Sequence, residues 1–324
     1  MKLKKIFAAA ALTLFLAGCS GGLSKVDAKF LAEKFINENL ISGGLKAEVL
    51  EVAKESGLWR LNVKLSDGRE VKSLLSIDGK IFVPEAIYIE EVEAAVAKEK
   101  ESAKQAREDL LASIPKSNKP VVELFVMSHC PFGTQAEKAI IPAIDKLGDD
   151  VDFRLSFVDY AMHGEIEVRE QLQQFAISEQ YPDKLIPYLK EFLVAGDSDA
   201  ALAAVGLSTE DLAATIATAD KEYKISENLE NQELWLKNAT GDPIYPRFNT
   251  HEEEGERYGV GGSPTLVVNT QKIEGAERTP ASMLATICAA FETAPESCAA
   301  ELSTVTPSSG FGWGEGGSGG GECS

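Results

Sequence analysis

The residues of this 324-residue chain best suited to do chemistry lie in one short run, Ser128-His129-Cys130-Pro131-Phe132-Gly133. Cys130 follows the apolar stretch Val121 to Met127, which reads as a strand, and precedes a helical pattern through Glu137, Ile140, Ile141, Ile144 and Leu147. Pro131 suits the first turn of that helix, where backbone amides have no intrahelical acceptor. Those amides, together with His129 if it carries a proton, favour thiolate over thiol and make the sulfur a nucleophile at neutral pH. In a Cys-X-X-Cys motif the fourth position carries the thiol that resolves a mixed disulfide; here it is Gly133. A single thiol can attack a disulfide, take up a small-thiol adduct, or catalyse isomerisation in which the substrate supplies the resolving thiol. It cannot alone complete a net dithiol oxidation. A domain that only binds would also tolerate loss of the second cysteine, so thiol–disulfide chemistry, a binding or assembly module, and the less favoured peroxide reduction all stay open.

The elements needed to hold Cys130 in place can be read on both sides of it. Val151 to Tyr160 is a second strand, so strand, turn, helix and strand form a βαβ unit whose first two elements meet at Cys130. About 165–235 is mostly helical, with breaks near Pro182, Pro187, Gly196, Gly206 and Ser226. Pro264 opens a hydrophobic strand running to Asn269, Gln271 to Ile273 completes a hairpin, and a last helix spans Pro280 to Phe291. Upstream, an amphipathic helix from Val26 to Leu40 precedes four short strands, with Asp67-Gly68 and Asp78-Gly79 as tight-turn residues. The expected fold is therefore α/β with a helical insertion, preceded by a small α+β domain. Its expected parts are a signal segment over 1–18, a spacer over 19–24, the small domain over 25–88, a charged linker helix over 89–118, the main domain over 119–302, and a disordered Gly/Ser-rich tail over 303–324 that cannot fold alone.

Strand, His-Cys-Pro-Phe-Gly, helix, helical insertion and then Gly261-Gly262-Ser263-Pro264-Thr265 before a strand resemble the thioredoxin fold with a DsbA-type insertion over about residues 119–293. The resemblance implies a cis proline at Pro264, with Ser263-Pro264 forming the far wall of a site whose other side is His129, Cys130, Pro131, Phe132 and Gly133. It also implies extended protein thiols or disulfides as substrates; no Gly-rich motif follows a strand in the form that cradles a nucleotide, so no cofactor is expected. Gln135-Ala136-Glu137 and Tyr160-Ala161-Met162-His163-Gly164 resemble thioredoxin-like proteins related in motif style to lysosomal thiol reductases. Ser76 to Phe82 resembles the hairpin in dimerisation domains of periplasmic disulfide isomerases, which implies a homo-oligomer formed through the N-terminal domain.

Lys2, Lys4 and Lys5 precede an apolar run from Ile6 to Ala17 that is shorter than the roughly 20 residues of a bilayer span. Leu16-Ala17-Gly18-Cys19 resembles the lipobox of bacterial lipoproteins, which implies lipid on Cys19 and an extracytoplasmic, membrane-anchored protein. Removing 1–18 takes three of the 32 basic residues and none of the 51 acidic ones, moving the formal charge from -19 to -22. So acidic a surface repels phosphate backbones and argues against nucleic-acid partners. Four cysteines remain in a compartment where disulfides persist. Cys288 and Cys298 are expected to pair across the turn at Glu292 to Ser297, the alternative being a small buried Cys288. Cys323 is a candidate resolving thiol for Cys130; bonding to another protein, anchoring a surface assembly, or capping are the alternatives. His163, after the strand carrying Asp159 and Tyr160, is expected as a helix cap or local loop contact before Glu165, a proton-transfer role being the alternative, and His251, beside Glu252, Glu253 and Glu254, on a solvated charged face. Three scattered histidines and no paired cysteines argue against a metal site.

Overall fold

A computed structural model of the chain describes residues 22–314; Cys19 and Cys323 lie outside the described residues. The chain divides into two compact units, residues 1–100 and 101–324, and the division falls inside a long exposed helix.

In the first unit, α1 (Lys25–Asn39) is capped by Ser24, whose hydroxyl accepts from the Asp27 amide at 3.2 Å. Ala28, Ala32 and Ile36, four apart, form the stripe that it buries. They pack on an antiparallel meander of β1 (Ala47–Glu55), β2 (Leu58–Leu65), β3 (Glu70–Ser76) and β4 (Phe82–Val83). Alternation along β2 sends Trp59, Leu61 and Val63 to the helix-covered face. Val26 and Phe30 on α1 remain largely exposed. Helix α2 (Ile89–Ser113) follows and buries none of its residues.

The second unit is built on a four-stranded sheet in the order β10-β9-β5-β6, from β5 (Val121–Val126), β6 (Asp152–Phe157), β9 (Thr265–Val268) and β10 (Gln271–Ile273). β5 lies between β6, which is parallel to it, and β9, which is antiparallel. Being central and covered on both faces, β5 is buried continuously from Val122 to Val126, Glu123 included, rather than in alternation. Helix α3 (Pro131–Leu147) crosses from β5 to β6, and α10 (Pro280–Cys288) packs beside it after the β9–β10 hairpin. Between β6 and β9 come α4 (Glu165–Gln180), α5 (Pro182–Ala195), α6 (Ser198–Ala204), α7 (Thr209–Tyr223) and α8 (Ile225–Glu230). A short ribbon of β7 (Leu236–Lys237) and β8 (Pro243–Tyr245) and helix α9 (Glu252–Tyr258) complete that insertion. This is a mixed α/β thioredoxin-like fold with a helical insertion, preceded in the chain by the smaller α+β unit. A Cys288–Cys298 disulfide ties the end of α10 to the turn at Glu296–Ala299.

Two expectations fail here. The stretch 303–314 is not a free tail: it is laid across α3 and α5, with Gly310 N–H donating to the Pro131 carbonyl at 2.9 Å and Gly312 N–H to the Leu193 carbonyl at 2.8 Å. Composition correctly says that this stretch has no core of its own, but it borrows one: Phe311 packs against His129 and Phe192, and Trp313 Nε1 donates to the Lys190 carbonyl at 3.1 Å. Gly196, in a left-handed conformation at the end of α5, leaves the room that Phe311 fills; a Cβ there would lie 2.7 Å from its ring. His251 is not on a solvated face either. Its ring packs on Phe157 and Phe175, and burial pulls its imidazole down to about 4, opposed by Glu254. The acidic run beginning at Glu252 turns outward on α9 while the residue before it points inward.

Candidate functional site

Cys130 is the N-cap of α3, in extended conformation, and is wholly buried. Its Sγ accepts the Gly133 N–H at 3.4 Å and lies 3.7 Å from the Ser263 carbonyl oxygen. The sulfur thus sits where the first-turn amides of α3 point. Facing it, the Ser263-Pro264 peptide is cis, and Ser263 Oγ accepts the Met127 N–H at 2.9 Å, tying that loop to the end of β5. Phe125, Met127, Val158 and Val267 surround the sulfur with apolar side chains, and Phe132, Tyr160 and Tyr258 close in from the rim. Tyr160 Oη donates to the Gly261 carbonyl at 3.0 Å across the site.

Burial holds the His129 imidazole below the ordinary histidine value, with Glu167 opposing, which works against the protonated form that would add to the helix amides. Its ring lies against Phe192 and Phe311.

Gly133 is closed to any side chain. A Cβ there would come within 2.8 Å of Ser263 Oγ, 2.9 Å of the Met127 carbonyl oxygen and 3.3 Å of Cys130 Cβ. The fourth position therefore lacks not only a sulfur but the volume for one.

His129, Cys130, Pro131, Phe132, Gly133, Ser263 and Pro264 therefore come together around one sulfur, while Cys288 and Cys298 bridge at the end of α10. Several residues that shape the site give no sign of it in the sequence. Glu167, in the first turn of α4, is fully buried. Its Oε1 accepts from Met162 N at 2.8 Å and His163 N at 3.2 Å. Its Oε2 accepts from His129 N at 3.2 Å and lies 2.6 Å from His163 Nδ1. One carboxylate thus holds the Cys130 loop and the 161–164 loop together.

Lys138 is the second such residue. Its ammonium donates to Ser308 Oγ at 3.0 Å and to the carbonyls of Gly310 at 2.8 Å and Gly312 at 2.7 Å, so all three donors go to the strap. Gln135 Nε2 adds a bond to the Pro307 carbonyl at 2.8 Å. The only trace of this in the sequence is the pair of aromatics, Phe311 and Trp313, in an otherwise glycine-rich stretch. Replacing Lys138 by methionine is expected to release the strap. Amide exchange at Gly310 and Gly312 should accelerate about tenfold or more, and stability should fall by about 1–2 kcal/mol. Unchanged protection of those two amides would show that the aromatics alone hold it.

Among the described residues no group of three or more His, Cys, Asp or Glu is placed to hold a metal ion.

No family model matches the chain, and no curated protein matches it. Among solved structures it is similar to the MdbA thiol-disulfide oxidoreductase from Actinomyces oris, at 16% identity over 55% of this chain and 84% of that one, with a TM-score of 0.36. It is similar also to DsbA from Mycobacterium tuberculosis, at 16% identity over 56% of this chain and 92% of that one, with a TM-score of 0.38. A third similar structure is BdbD from Bacillus subtilis, at 17% identity over 54% of this chain and 89% of that one, with a TM-score of 0.35.

Proposed function

We propose that the chain exchanges disulfides in extracytoplasmic proteins through the single nucleophile Cys130, held near a membrane by lipid on Cys19. The observation that carries this reading is a sulfur at the N-terminus of α3, receiving the Gly133 amide and facing a cis Ser263-Pro264 wall. In the first step the Cys130 thiolate attacks a substrate disulfide R–S–S–R′. The Cys130–S–S–R bond forms, the S–S bond of the substrate breaks, and R′–S⁻ leaves and takes a proton from solvent. A second thiolate then attacks the R sulfur, releasing the Cys130 thiolate with no net oxidation or reduction. Because Gly133 leaves no room beside Cys130, that second thiol belongs to the substrate or to another part of the chain.

Cys323 is the candidate from the chain itself. It lies nine residues beyond Gly314. Nine residues of extended chain span up to roughly 30 Å, and the strap that precedes them is seated on Pro131, beside Cys130. The N-terminal unit then serves to present the site or to pair two copies; the exposed apolar side chains of Val26 and Phe30 on α1 suit the second role.

One observation favours a non-catalytic binding or surface-assembly lipoprotein instead, namely the complete burial of Cys130. The two readings part in a trapping experiment. Wild-type protein incubated with a scrambled disulfide protein should form a mixed disulfide at Cys130 and speed its rearrangement. Cys130→Ser, equally folded, should do neither. Equal rearrangement rates for the two proteins, with no trapped adduct, would leave the binding reading.

A further inference from the structure

Beside the site wall is a cavity of about 370 Å³ whose lining includes Pro264, Arg278 and Lys272, with Leu124 and Leu266 among its apolar side chains. Pro264 belongs to both, so the cavity begins where the cis-proline wall ends. Arg278 reaches from it towards the sulfur: its guanidinium lies 5.6 Å over the ring of Phe132, two residues beyond Cys130. Its Nη1 donates to Gln135 Oε1 at 3.3 Å, and among the described residues most of its five donors have no other hydrogen-bond partner. The nearby carboxylates are already engaged. Glu277 pairs with Arg107 at 3.6 Å and Glu274 with Lys272 at 3.0 Å. Among the described residues no carboxylate forms an ion pair with Arg278. In a chain carrying 51 acidic residues against 32 basic ones, a guanidinium left without a carboxylate at the rim of the reactive sulfur stands out.

We propose that Arg278 is a specificity residue which binds a carboxylate carried by the thiol or disulfide substrate next to its reacting sulfur. The proposal deepens the reading of Cys130 as a reactive thiol and rests on it. A substrate sulfur bonded to Cys130 places its neighbouring groups between the Ser263-Pro264 wall and Phe132, and both border Arg278 or its cavity. The stacked guanidinium keeps its edge free for a forked pair of hydrogen bonds, which lysine cannot reproduce. The overall field of the protein works against an anionic ligand, but at physiological salt it is screened beyond about 8 Å. A preference for acidic substrates would therefore report a local contact. The carboxylate could belong to an Asp or Glu side chain of a polypeptide or to a small γ-glutamyl thiol.

The test uses cysteine compounds activated as mixed disulfides with pyridine-2-thiol: a peptide with glutamates flanking its cysteine, the same peptide with glutamines, glutathione, and glutathione diester. Attack by the Cys130 thiolate forms Cys130–S–S–R, breaks the activated S–S bond and releases pyridine-2-thione, read by absorbance. At physiological salt the wild type should react about five- to tenfold faster with the glutamate peptide than with the glutamine peptide. In Arg278→Gln that ratio should fall to about one, and Arg278→Lys should restore part of it. A similar advantage of glutathione over its diester would point to a small thiol; an advantage confined to the peptides, to a polypeptide. A wild-type ratio of one or below for both pairs, or a ratio that survives in Arg278→Gln, overturns the proposal and leaves the redox reading intact. Cys130→Ser protein titrated with the reduced compounds reads the same preference with no sulfur chemistry. If the wild type reacts with none of them yet the titration shows Arg278-dependent binding of the acidic one, only the redox reading fails; if the titration shows none, both fail.

Discussion

Replacing Glu137 by glutamine is expected to remove a large part of the loss of stability that the second unit undergoes between pH 5 and pH 8, the rest coming from Glu170 and Asp159, which burial also raises. Glu137 lies on α3, two turns beyond Cys130, and neither of its carboxyl oxygens has a hydrogen-bond partner among the described residues. Burial pushes its carboxyl up to about 8, reinforced by Glu170 on α4 and opposed by Lys138. Burial also raises Glu170, to about 7, against hydrogen bonds from Ser198, Tyr188 and Gln174. The unfolded chain releases the Glu137 proton near 4.5 while the folded chain keeps it, so the contribution is complete below pH 4.5 and is lost as pH rises towards 8. A shift of that size corresponds to roughly 5 kcal/mol. His251 acts in the opposite direction. Its folded value is about 4 against 6.5 unfolded, so its contribution is complete above pH 6.5 and is lost as pH falls towards 4. Stability should therefore peak near pH 5. Guanidinium unfolding of wild type and Glu137→Gln from pH 4.5 to pH 9 measures this directly. The variant should match the wild type within about 1 kcal/mol at pH 5 and exceed it by several kcal/mol at pH 8. Parallel pH profiles for the two proteins would mean that Glu137 is ionised in the fold.

The second large effect concerns the fourth position of the motif. Installing a cysteine at Gly133 looks like a simple restoration of a dithiol, and the expected result is a weakened domain instead. The Cβ of any side chain there meets Ser263 Oγ at 2.8 Å and the Met127 carbonyl oxygen at 2.9 Å. The first contact can be relieved by removing the hydroxyl, although that leaves the Met127 amide without its acceptor. The second is with backbone at the end of β5 and can yield only by moving the strand or α3. Overpacking of this kind costs about 1–3 kcal/mol, and a unit of this size loses about 2–4 °C of melting temperature per kcal/mol. Gly133→Ala should thus melt about 4–8 °C lower, and Gly133→Cys at least as low even when oxidised. Adding Ser263→Ala to Gly133→Ala should not restore wild-type stability, because the carbonyl contact remains. A Gly133→Ala protein that melts with the wild type would show that α3 shifts at no cost.

Much of the site could be read in the sequence because its parts are local. Cys130 before Pro131 is a helix start, and Pro264 before Thr265-Leu266-Val267-Val268 is a strand start; each is a statement about a few adjacent residues. What stayed hidden depends on distant chain. Glu137, Lys138, Glu167 and Glu170 are charged residues on helices, the type that ordinarily faces water, and all four are buried because insertion helices and the strap cover what would have been solvent faces. His251 was misread for the reverse reason: three glutamates follow it, but the chain enters α9 just there, and the residue before a helix need not share its face. The absence of room at Gly133 depends on Ser263, 130 positions away, and on a carbonyl six residues earlier.

The strap also fixes an order of events. Its hydrogen bonds join residues 134–138 to residues 307–312 across 170 to 176 positions. A chain made from its amino terminus offers β5 and the Cys130 turn long before Gly310 exists to close over Pro131. Lengthening a loop costs little entropy, about 0.6 kcal/mol for each doubling, so the late contact is delayed rather than forbidden. Through that interval the turn that holds the sulfur stands uncovered on its strap side, open there to thiols, oxidants and chaperones that the strap later keeps from that side.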